Sequence, residues 1–249
     1  MTKDQLRQRL EFYQDLGIKT IYRRPATSHQ PPTTVPVPTA TSHQPPATVP
    51  MTLPTLEPSQ DSLLTILTDI GDCKRCGLHQ GRNKIVFGSG NEQSRLVFVG
   101  EGPGADEDAQ GLPFVGRAGQ LLTQMIEGTA SKEGIPIQRP DVYICNVVKC
   151  RPPENRTPQP DEMEICGQFL YRQLQSIKPK AICALGSTAA KALLGTKDGV
   201  MRLRGKWHNW RDIPVMVTYH PSYLLRPYNQ NAKKEAWEDL KKVLHYVYD

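Results

Sequence analysis

Apolar positions divide the chain into three regions. Residues 3–16 carry leucines and a tyrosine at helical spacing, which predicts an amphipathic N-terminal helix within residues 1–24. Residues 25–60 have little apolar bulk and contain a near repeat, ATSHQPPTTVP at 26–36 and ATSHQPPATVP at 40–50. Sequence rich in Pro and Thr cannot bury a core, so this region is predicted to be a disordered linker. Residues 61–249 have the pattern of one globular domain.

In the globular region, short apolar runs alternate with helical patterns. The runs predict buried strands at 96–99, 142–148, 181–185 and 213–218. The helical patterns cover 61–70, with Asp61 as the predicted N-cap, and 119–127, 161–176, 187–194 and 233–246. Strands alternating with helices are typical of an α/β fold. We therefore expect a three-layer αβα sandwich around a central, mostly parallel four-stranded sheet.

Composition narrows the class of protein only slightly. The chain is 38% hydrophobic and 22% charged, which allows one sizeable core. Its formal net charge of +6 permits a polyanionic partner but does not require one. There is no run of 18 apolar residues, and the N-terminus lacks the apolar stretch of a secretory signal. We expect a monomeric cytoplasmic protein without a membrane partner.

Unusual segments follow three of the predicted strands. They are the glycine segment Gly100–Gly104 (GEGPG), Asn146 with the KCRPP run at 149–153, and the HPS run at 220–222. In an open parallel sheet, ligands bind beyond the carboxyl ends of the strands. We therefore expect these segments to converge on one cleft.

The glycine segment by itself allows other interpretations. Gly100, Gly102 and Ala105 fit the G-x-G-x-x-A form of a dinucleotide-binding fingerprint. Against this, Pro103 stiffens the turn, the acidic residues 106–108 stand where a pyrophosphate would sit, and the next helical pattern begins only near residue 119. The glycines could also simply form a tight turn.

Four of the six cysteines form a close pair and a distant pair, a spacing that suits a tetrahedral metal ion or a cubane cluster. Spacing does not separate zinc from iron–sulfur, and four unrelated buried thiols are the alternative. The other two lie in apolar strand patterns and are predicted to be core residues. The first set is Cys73, Cys76, Cys150 and Cys166; the core pair is Cys145 and Cys183.

Four motifs, in order, resemble the family 4 uracil-DNA glycosylases, the iron–sulfur type of bacteria and archaea. They are GEGPGADEDAQGLPFVGRAGQLL (100–122), NVVKCRPPENRTPQPDE (146–162), RGKW (204–207) and HPSYLLR (220–226). The resemblance runs from about residue 61 to the C-terminus. It implies a uracil-DNA glycosylase-like fold and a base-excision repair enzyme. This enzyme would hydrolyse the N-glycosidic bond of uracil in DNA and leave an abasic site.

The resemblance also implies a cofactor and a partner. The cofactor would be a structural 4Fe–4S cluster, ligated by Cys73, Cys76, Cys150 and Cys166. The partner would be uracil-containing DNA, which suggests association with the nucleoid. No lysine stands out as a Schiff-base nucleophile, so a simple hydrolase is expected.

Roles for site residues follow from the same resemblance, because a uracil in duplex DNA must be flipped out before its sugar bond can be reached. Phe114 would stack on the base, or be an ordinary core residue. Asn146 would read the base edge, or cap a turn. His220 would donate to uracil O2 as the bond breaks, or be an ordinary turn histidine.

The residue that positions the attacking water is less determined. Glu101 is the leading candidate, although related families carry Asp or Asn one position later, where this chain has Gly102. Glu107 is the second candidate, or it excludes thymine from the pocket. Gly104 stands where another family has a bulky tyrosine for that purpose.

DNA contacts are expected near the last motif. Leu224 would be a minor-groove wedge and Arg226 would contact phosphate. Lys149, Arg151 and Arg156 could place positive charge against the DNA backbone. Two competing functions remain: an inactive iron–sulfur DNA-binding module, and a nucleotide-binding oxidoreductase that uses the cluster for electron transfer.

Overall fold

The computed structural model describes residues 61–226 and 229–249. The predicted N-terminal helix (1–24) and linker (25–60) lie outside the described residues, so both stay predictions. Within the described part, no helix is both long and apolar enough to cross a membrane.

The sheet contains the predicted parallel strands and two short additions. The strands are β1 (Ser89–Gly90), β2 (Leu96–Gly100), β3 (Tyr143–Asn146), β4 (Ala181–Leu185), β5 (Trp207–Trp210) and β6 (Ile213–Thr218). Their spatial order is β1-β3-β2-β4-β6-β5. The four inner strands pair in parallel, which confirms the expected α/β class. The edge strands β1 and β5 pair antiparallel, and neither has an apolar run that would predict it.

Helices connect these strands. They are α1 (Leu63–Ile70), α2 (Ala105–Gln110), α3 (Arg117–Lys132), α4 (Pro160–Ile177), α5 (Ser187–Leu194), α6 (Val200–Leu203), α7 (Pro221–Leu224) and α8 (Gln230–Tyr248), with 3₁₀ turns at Gly77–Gln80, Arg139–Asp141 and Pro153–Asn155. The five predicted helices are all present. The short helices α2, α6 and α7 were not predicted, because a helix of four to six residues carries too little periodicity.

The predicted N-cap of α1 is wrong by one residue. Ser62, not Asp61, accepts the backbone N–H of Thr65 through its side chain. Asp61 instead forms an ion pair with Arg172 of α4, at 2.6 Å. The partner of Asp61 is therefore distant in sequence, which a local capping pattern cannot reveal.

Side chains alternate between the two faces of the sheet. On one face Val97 and Val99 of β2 pack in a core cluster with residues of α1, α4 and α5. On the other face Leu96 and Phe98 pack with residues of α3 and α8. Because successive strand residues point to opposite faces, both faces are covered and the sandwich has the predicted three layers.

Candidate active site

A cavity of about 230 Å³ lies at the carboxyl ends of the inner strands. It is smaller than the roughly 300–1,000 Å³ of typical small-molecule sites, so it suits a ligand about the size of one base. The three segments expected to converge all line it. The lining residues are Glu101, Gly102, Pro103, Gly104, Glu107, Phe114, Ala118, Asn146, Pro152, Asn155, Arg156, His220 and Ser222.

Asn146 brings a buried polar atom without a partner to this cavity. It is the last residue of β3 and is 1% exposed, and its Oδ1 accepts no hydrogen bond from any residue that the structure describes. A Cβ on Gly100, in the neighbouring strand, would lie 2.4 Å from this Oδ1, so only glycine allows the approach. A buried acceptor without a donor costs about 1–3 kcal/mol, which marks a place where a ligand N–H would bind favourably.

Phe114 belongs to the core and to the cavity wall at once. It is 5% exposed and packs in the cluster beneath the sheet, and its ring centroid lies 5.6 Å from that of His220. Its backbone has φ of 53°, an unusual value for a bulky residue. Arg139 holds the preceding turn by donating to the carbonyl of Pro113 at 2.7 Å. Phe114 can therefore be a core residue and still present its ring to a base in the cavity.

The Glu107 side chain forms a hydrogen-bonded bracket, which links the segment at Gly104 to the loop at Val115 and Gly116. Its Oε2 accepts the N–H of Gly104 at 3.1 Å, and its Oε1 accepts those of Val115 and Gly116, both at 2.9 Å. A Cβ on Gly104 would lie 2.7 Å from Oε2, so a larger residue there would displace the bracket. Glu107 was the second candidate for positioning the attacking water, and both of its carboxylate oxygens already accept backbone N–H groups.

Glu101 follows β2 directly and lines the cavity. Its Oε2 accepts a hydrogen bond from Thr188 Oγ1, at the start of α5, and its main-chain oxygen accepts the N–H of Val148 at 3.1 Å. Thr188 is buried and was not predicted as a site residue, because it lies far from the motifs in sequence. This hydrogen bond fixes the Oε2 end of the Glu101 carboxylate at the cavity.

His220 caps α7 with its own ring. Its Nδ1 lies 2.8 Å from Ser222 Oγ and accepts the backbone N–H of Ser222 at 3.2 Å. An acceptor at Nδ1 puts the proton of the neutral imidazole on Nε2. Burial lowers the pKa of His220 to about 4, although the carboxylate of Glu107 acts in the opposite direction. At neutral pH the ring is therefore an uncharged donor at Nε2.

The expectation that no helix follows the glycine segment is wrong. Helix α2 begins at Ala105, directly after Gly104. Its first turn carries Asp106, Glu107 and Asp108, and Glu107 already accepts the N–H of Gly104. The N-terminus is thus filled by the chain's own carboxylates, which still argues against a bound pyrophosphate.

Three lining residues come from the segment after β3. Pro152, Asn155 and Arg156 line the same cavity as His220, and only their place in the 146–162 motif could have suggested this. Arg156 pairs with Glu162 of α4 through two hydrogen bonds of 2.7 and 2.8 Å. This fork fixes the guanidinium at the cavity edge.

Two residues that the sequence predicted to contact DNA are buried in this structure. Leu224 is 1% exposed and packs with Ala232 and Ala236 of α8, so it cannot act as a wedge without leaving the core. Lys149 is 0% exposed, so its charge does not face DNA. Arg226 is exposed, and its guanidinium lies over the ring of Tyr223 at 5.8 Å from the centroid. Local sequence does not show which side of a short helix faces the core.

The four cysteines of the predicted ligand set lie on one side of the sheet. Cys150 and Cys166 are buried in a core cluster, and Cys73 and Cys76 pack against it. All four are free thiols, and burial raises the pKa of Cys166 to about 11. The predicted core pair, Cys145 and Cys183, lies buried in β3 and β4.

Hydrogen-bond donors face all four sulfurs, and the donor at Cys76 is the backbone N–H of Leu78. The backbone N–H of Lys149 donates to Cys166 Sγ at 3.2 Å, Arg82 to Cys150 Sγ at 3.4 Å, and Arg75 to Cys73 Sγ at 3.6 Å. Such donors suit thiolate ligands, whose negative charge they would stabilise. Within the described residues, no three His, Cys, Asp or Glu side chains form a group that could hold a single metal ion.

Comparison with known proteins gives a consistent result. The family model described as the uracil DNA glycosylase superfamily matches residues 87–241. A type-4 uracil-DNA glycosylase of Thermotoga maritima is 44% identical over 192 residues, 76% of this chain and 97% of that relative. One of Archaeoglobus fulgidus is 42% identical over 191 residues, 74% of this chain and 92% of that relative. A type-5 uracil-DNA glycosylase of Pyrobaculum aerophilum is 31% identical over 167 residues, 62% of this chain and 71% of that relative. The chain therefore belongs to the uracil DNA glycosylase superfamily and, within it, to the type-4 uracil-DNA glycosylases.

Proposed function

We propose that this protein hydrolyses the N-glycosidic bond of uracil in DNA, releasing free uracil and leaving an abasic site during base excision repair. The observation that carries the proposal is the unpartnered Oδ1 of Asn146 in a base-sized cavity beside Phe114 and His220. Family membership supports the same activity.

Asn146 would select uracil by its hydrogen-bonding edge. Uracil N3–H would donate to the free Oδ1, and the amide nitrogen would donate to uracil O4. Cytosine presents an acceptor at N3 and an amino group at position 4, so both contacts would fail. Phe114 would hold the flipped base by stacking, which contributes roughly 1–3 kcal/mol per base.

His220 would stabilise the leaving uracil. Its Nε2–H would donate to O2, where negative charge grows as the glycosidic bond breaks. A neutral imidazole does not protonate the base outright, and its lowered pKa keeps it neutral at physiological pH. Because the donor is already oriented by Ser222, no reorganisation is needed during the reaction.

Glu101 would orient the attacking water. The choice between Glu101 and Glu107 rests on their hydrogen bonds, since both oxygens of Glu107 accept backbone N–H groups. Among the described residues, the side chain of Glu101 has one hydrogen-bond partner, Thr188 at Oε2. Gly102 and Gly104 would let the backbone lie close to the base, and Glu107 would keep that loop in place.

The four-cysteine set would hold a 4Fe–4S cluster. Cys150 and Cys166 lie in one core cluster and Cys73 and Cys76 pack against it, so the four thiolates would be close enough in the fold to share one 4Fe–4S cluster. When bound, it would act as a cross-link between segments, since hydrolysis moves no electrons. The outward-facing Arg226 would contact a phosphate, and the protein would act as a monomer on DNA in the cytoplasm.

Metal analysis of two cysteine variants tests the cluster. Purified protein should be brown, with broad absorption near ~400 nm, and should contain iron and sulfide. Cys150→Ser should lose the iron, whereas the matched control Cys183→Ser, a buried strand thiol, should keep it. Stoichiometric zinc without sulfide would contradict this assignment.

The activity itself is tested with DNA that contains one uracil. The wild-type protein should create an alkali-labile site at that position and none in a matched cytosine strand. Asn146→Asp should excise uracil more slowly and attack cytosine weakly, because a carboxyl group presents a different edge. DNA binding without any abasic product would favour the inactive DNA-binding module, and reduction of a flavin or nicotinamide would favour the oxidoreductase.

A further inference from the structure

Lys149 is a buried charged residue to which the proposed chemistry gives no role. Its side chain is 0% exposed and lies between Asn146 and Cys150 in sequence. Burying an amine is costly unless its donors are satisfied, and an apolar residue would fill the same space without that cost. The hydrogen bonds that the buried Lys149 amine makes therefore indicate its role.

The Nζ atom of Lys149 turns back toward the base-reading residue. It donates to the main-chain oxygen of Asn146 at 2.8 Å and to Oε1 of Gln173, in α4, at 2.6 Å. The Asn146 carbonyl lies at the last residue of β3, where the ladder with β2 ends. Gln173 is in turn held by the carbonyl of Phe87 at 3.0 Å.

The main chain of Lys149 is tied to the cysteine set. Its N–H donates to Cys166 Sγ at 3.2 Å, and its carbonyl accepts the N–H of Val86 at 2.8 Å. Cys166 and Gln173 lie about two turns apart on α4. Lys149 is therefore hydrogen-bonded to that helix at two points, through its main chain and through its side chain. The next residue, Cys150, belongs to the same set.

We propose that Lys149 is a positioning residue, which fixes the base-reading Asn146 relative to the cysteine set through the bond from Nζ to the Asn146 carbonyl. The inference rests on the proposed function, because it assigns to Asn146 the recognition of uracil. A displacement of about 1 Å in a group that contacts the reacting base can cost on the order of 10²-fold in rate. Within residues 61–226 and 229–249, no donor holds Oδ1 of Asn146, so the placement of this side chain depends on its backbone.

Single-turnover kinetics with the full-length holoprotein tests the proposal. Lys149→Met keeps the length and volume of the side chain and removes its donors. We expect the maximal excision rate to fall at least tenfold, with iron content and the half-saturating enzyme concentration unchanged. Lys180→Met is the matched control, since Lys180 Nζ also donates to a main-chain oxygen, that of Val247 at 3.4 Å, but precedes β4 at the opposite end of the sheet. This control should keep the wild-type rate.

A double variant separates positioning from a general structural role. If Lys149 acts through Asn146, then Lys149→Met in the Asn146→Ala background should lower the rate by less than twofold further. Rate losses that multiply in the double variant, or a wild-type rate in Lys149→Met with full iron content, would overturn the proposal. A lower melting temperature with an unchanged maximal rate would also overturn it.

Gln173→Leu decides the question if Lys149→Met does not fold or does not retain iron. The proposal requires Gln173 of α4 to hold Nζ at the Asn146 carbonyl, and this variant removes that acceptor without changing the segment of Cys150. We expect a rate loss of about threefold or more; an unchanged rate would mean that the link from α4 through Nζ does not position Asn146 and would overturn the proposal. The wild-type protein is assayed in parallel. If the wild type does not excise uracil, the proposed function fails; if it does and the variants match it, only the positioning role fails.

Discussion

At His220, one local contact decides which ring nitrogen carries the proton. Ser222 occupies Nδ1, so the neutral ring donates from Nε2. Burial makes this neutral form the stable one over most of the pH range. At Asn146, by contrast, the side-chain oxygen Oδ1 has no donor among the described residues and is open to a ligand N–H. At the residue scale the site therefore consists of one donor and one acceptor, both held ready for a base.

The pKa of His220 predicts how the chemical step depends on pH. With a pKa of about 4 rather than 6.5, the imidazole stays neutral as pH falls from 8 to 5. The single-turnover rate should therefore show no loss with a midpoint near 6.5 in the wild type. His220→Ala should slow this step by on the order of 10²–10³ and weaken DNA binding much less. A wild-type rate in His220→Ala would transfer leaving-group stabilisation to other groups.

The same pKa predicts a change in stability. The unfolded chain binds a proton at this imidazole near pH 6.5, and the folded protein only near pH 4. The contribution of His220 to the free energy of unfolding is fully present above pH 6.5 and is lost as pH falls toward 4. Urea denaturation at pH 7 and pH 5 should show a smaller decrease in stability for His220→Ala than for the wild type.

Thr188 offers a separate residue-scale prediction. Thr188→Val keeps the shape of the side chain and removes the hydrogen bond to Glu101. A lost bond to a charged group costs about 1.5–3 kcal/mol, so we expect roughly a tenfold or larger loss in excision rate. Thr188→Ser retains the hydroxyl and is the matched control, with a rate near that of the wild type. Equal rates for Val and Ser would mean that the bond does not orient Glu101 for catalysis.

At the element scale, the approach of α3 to the loop of Phe114 shapes the cavity wall. A Cβ on Gly119, in the first turn of α3, would lie 1.9 Å from the carbonyl carbon and oxygen of Phe114. The loop is also held by the Glu107 bracket at Val115 and Gly116. The position of Phe114 therefore depends on two elements that meet at one point, and not on its own local sequence.

Two glycines on the same helix test this contact. Gly119→Ala should displace the loop of Phe114, lower the melting temperature and reduce uracil excision at least tenfold. Gly128→Ala, in the middle of α3, meets nothing within 4 Å and should raise stability by about 0.5–1 kcal/mol with normal activity. Thermal denaturation and excision assays measure both effects. Normal activity in Gly119→Ala would show that the loop adapts without affecting the base platform.

At the scale of the whole molecule, the sandwich places the cysteine set and the cavity on neighbouring parts of one structure. The end of β3 and the segment after it contribute Asn146, Lys149 and Cys150 within five residues of sequence. α4 contributes Cys166 and Gln173 to the same region. Cluster binding and base recognition are therefore expected to depend on the same two elements.

Removal of residues 1–60 tests whether the globular region is sufficient. All proposed ligands and site residues lie at Cys73 or later. Protein lacking residues 1–60 should therefore excise uracil within a few-fold of the full-length rate and keep its iron. A large loss of activity in a folded, iron-containing protein would show that the N-terminal region takes part in DNA binding.

Much of the fold could be predicted from the pattern of residues. The four inner strands and five longer helices have clear periodicity, and their alternation led to the parallel sheet that is observed. The short elements β1, β5, α2, α6 and α7 were missed, because tertiary contacts stabilise them more than their own sequence does. The site residues at strand ends were found for a related reason: in a parallel sheet, topology brings those ends together.

The sequence by itself determined the fold class, the motifs at the strand ends and the set of cysteines, since all three depend on residue type and spacing. Only the tertiary structure decided which polar atoms already have partners. In the described residues, Glu107 accepts backbone N–H groups, Oδ1 of Asn146 has no donor, and Leu224 and Lys149 are buried. The physical reason is that burial and hydrogen bonding join residues distant in sequence, so the role of a side chain depends on neighbours that its own segment does not specify.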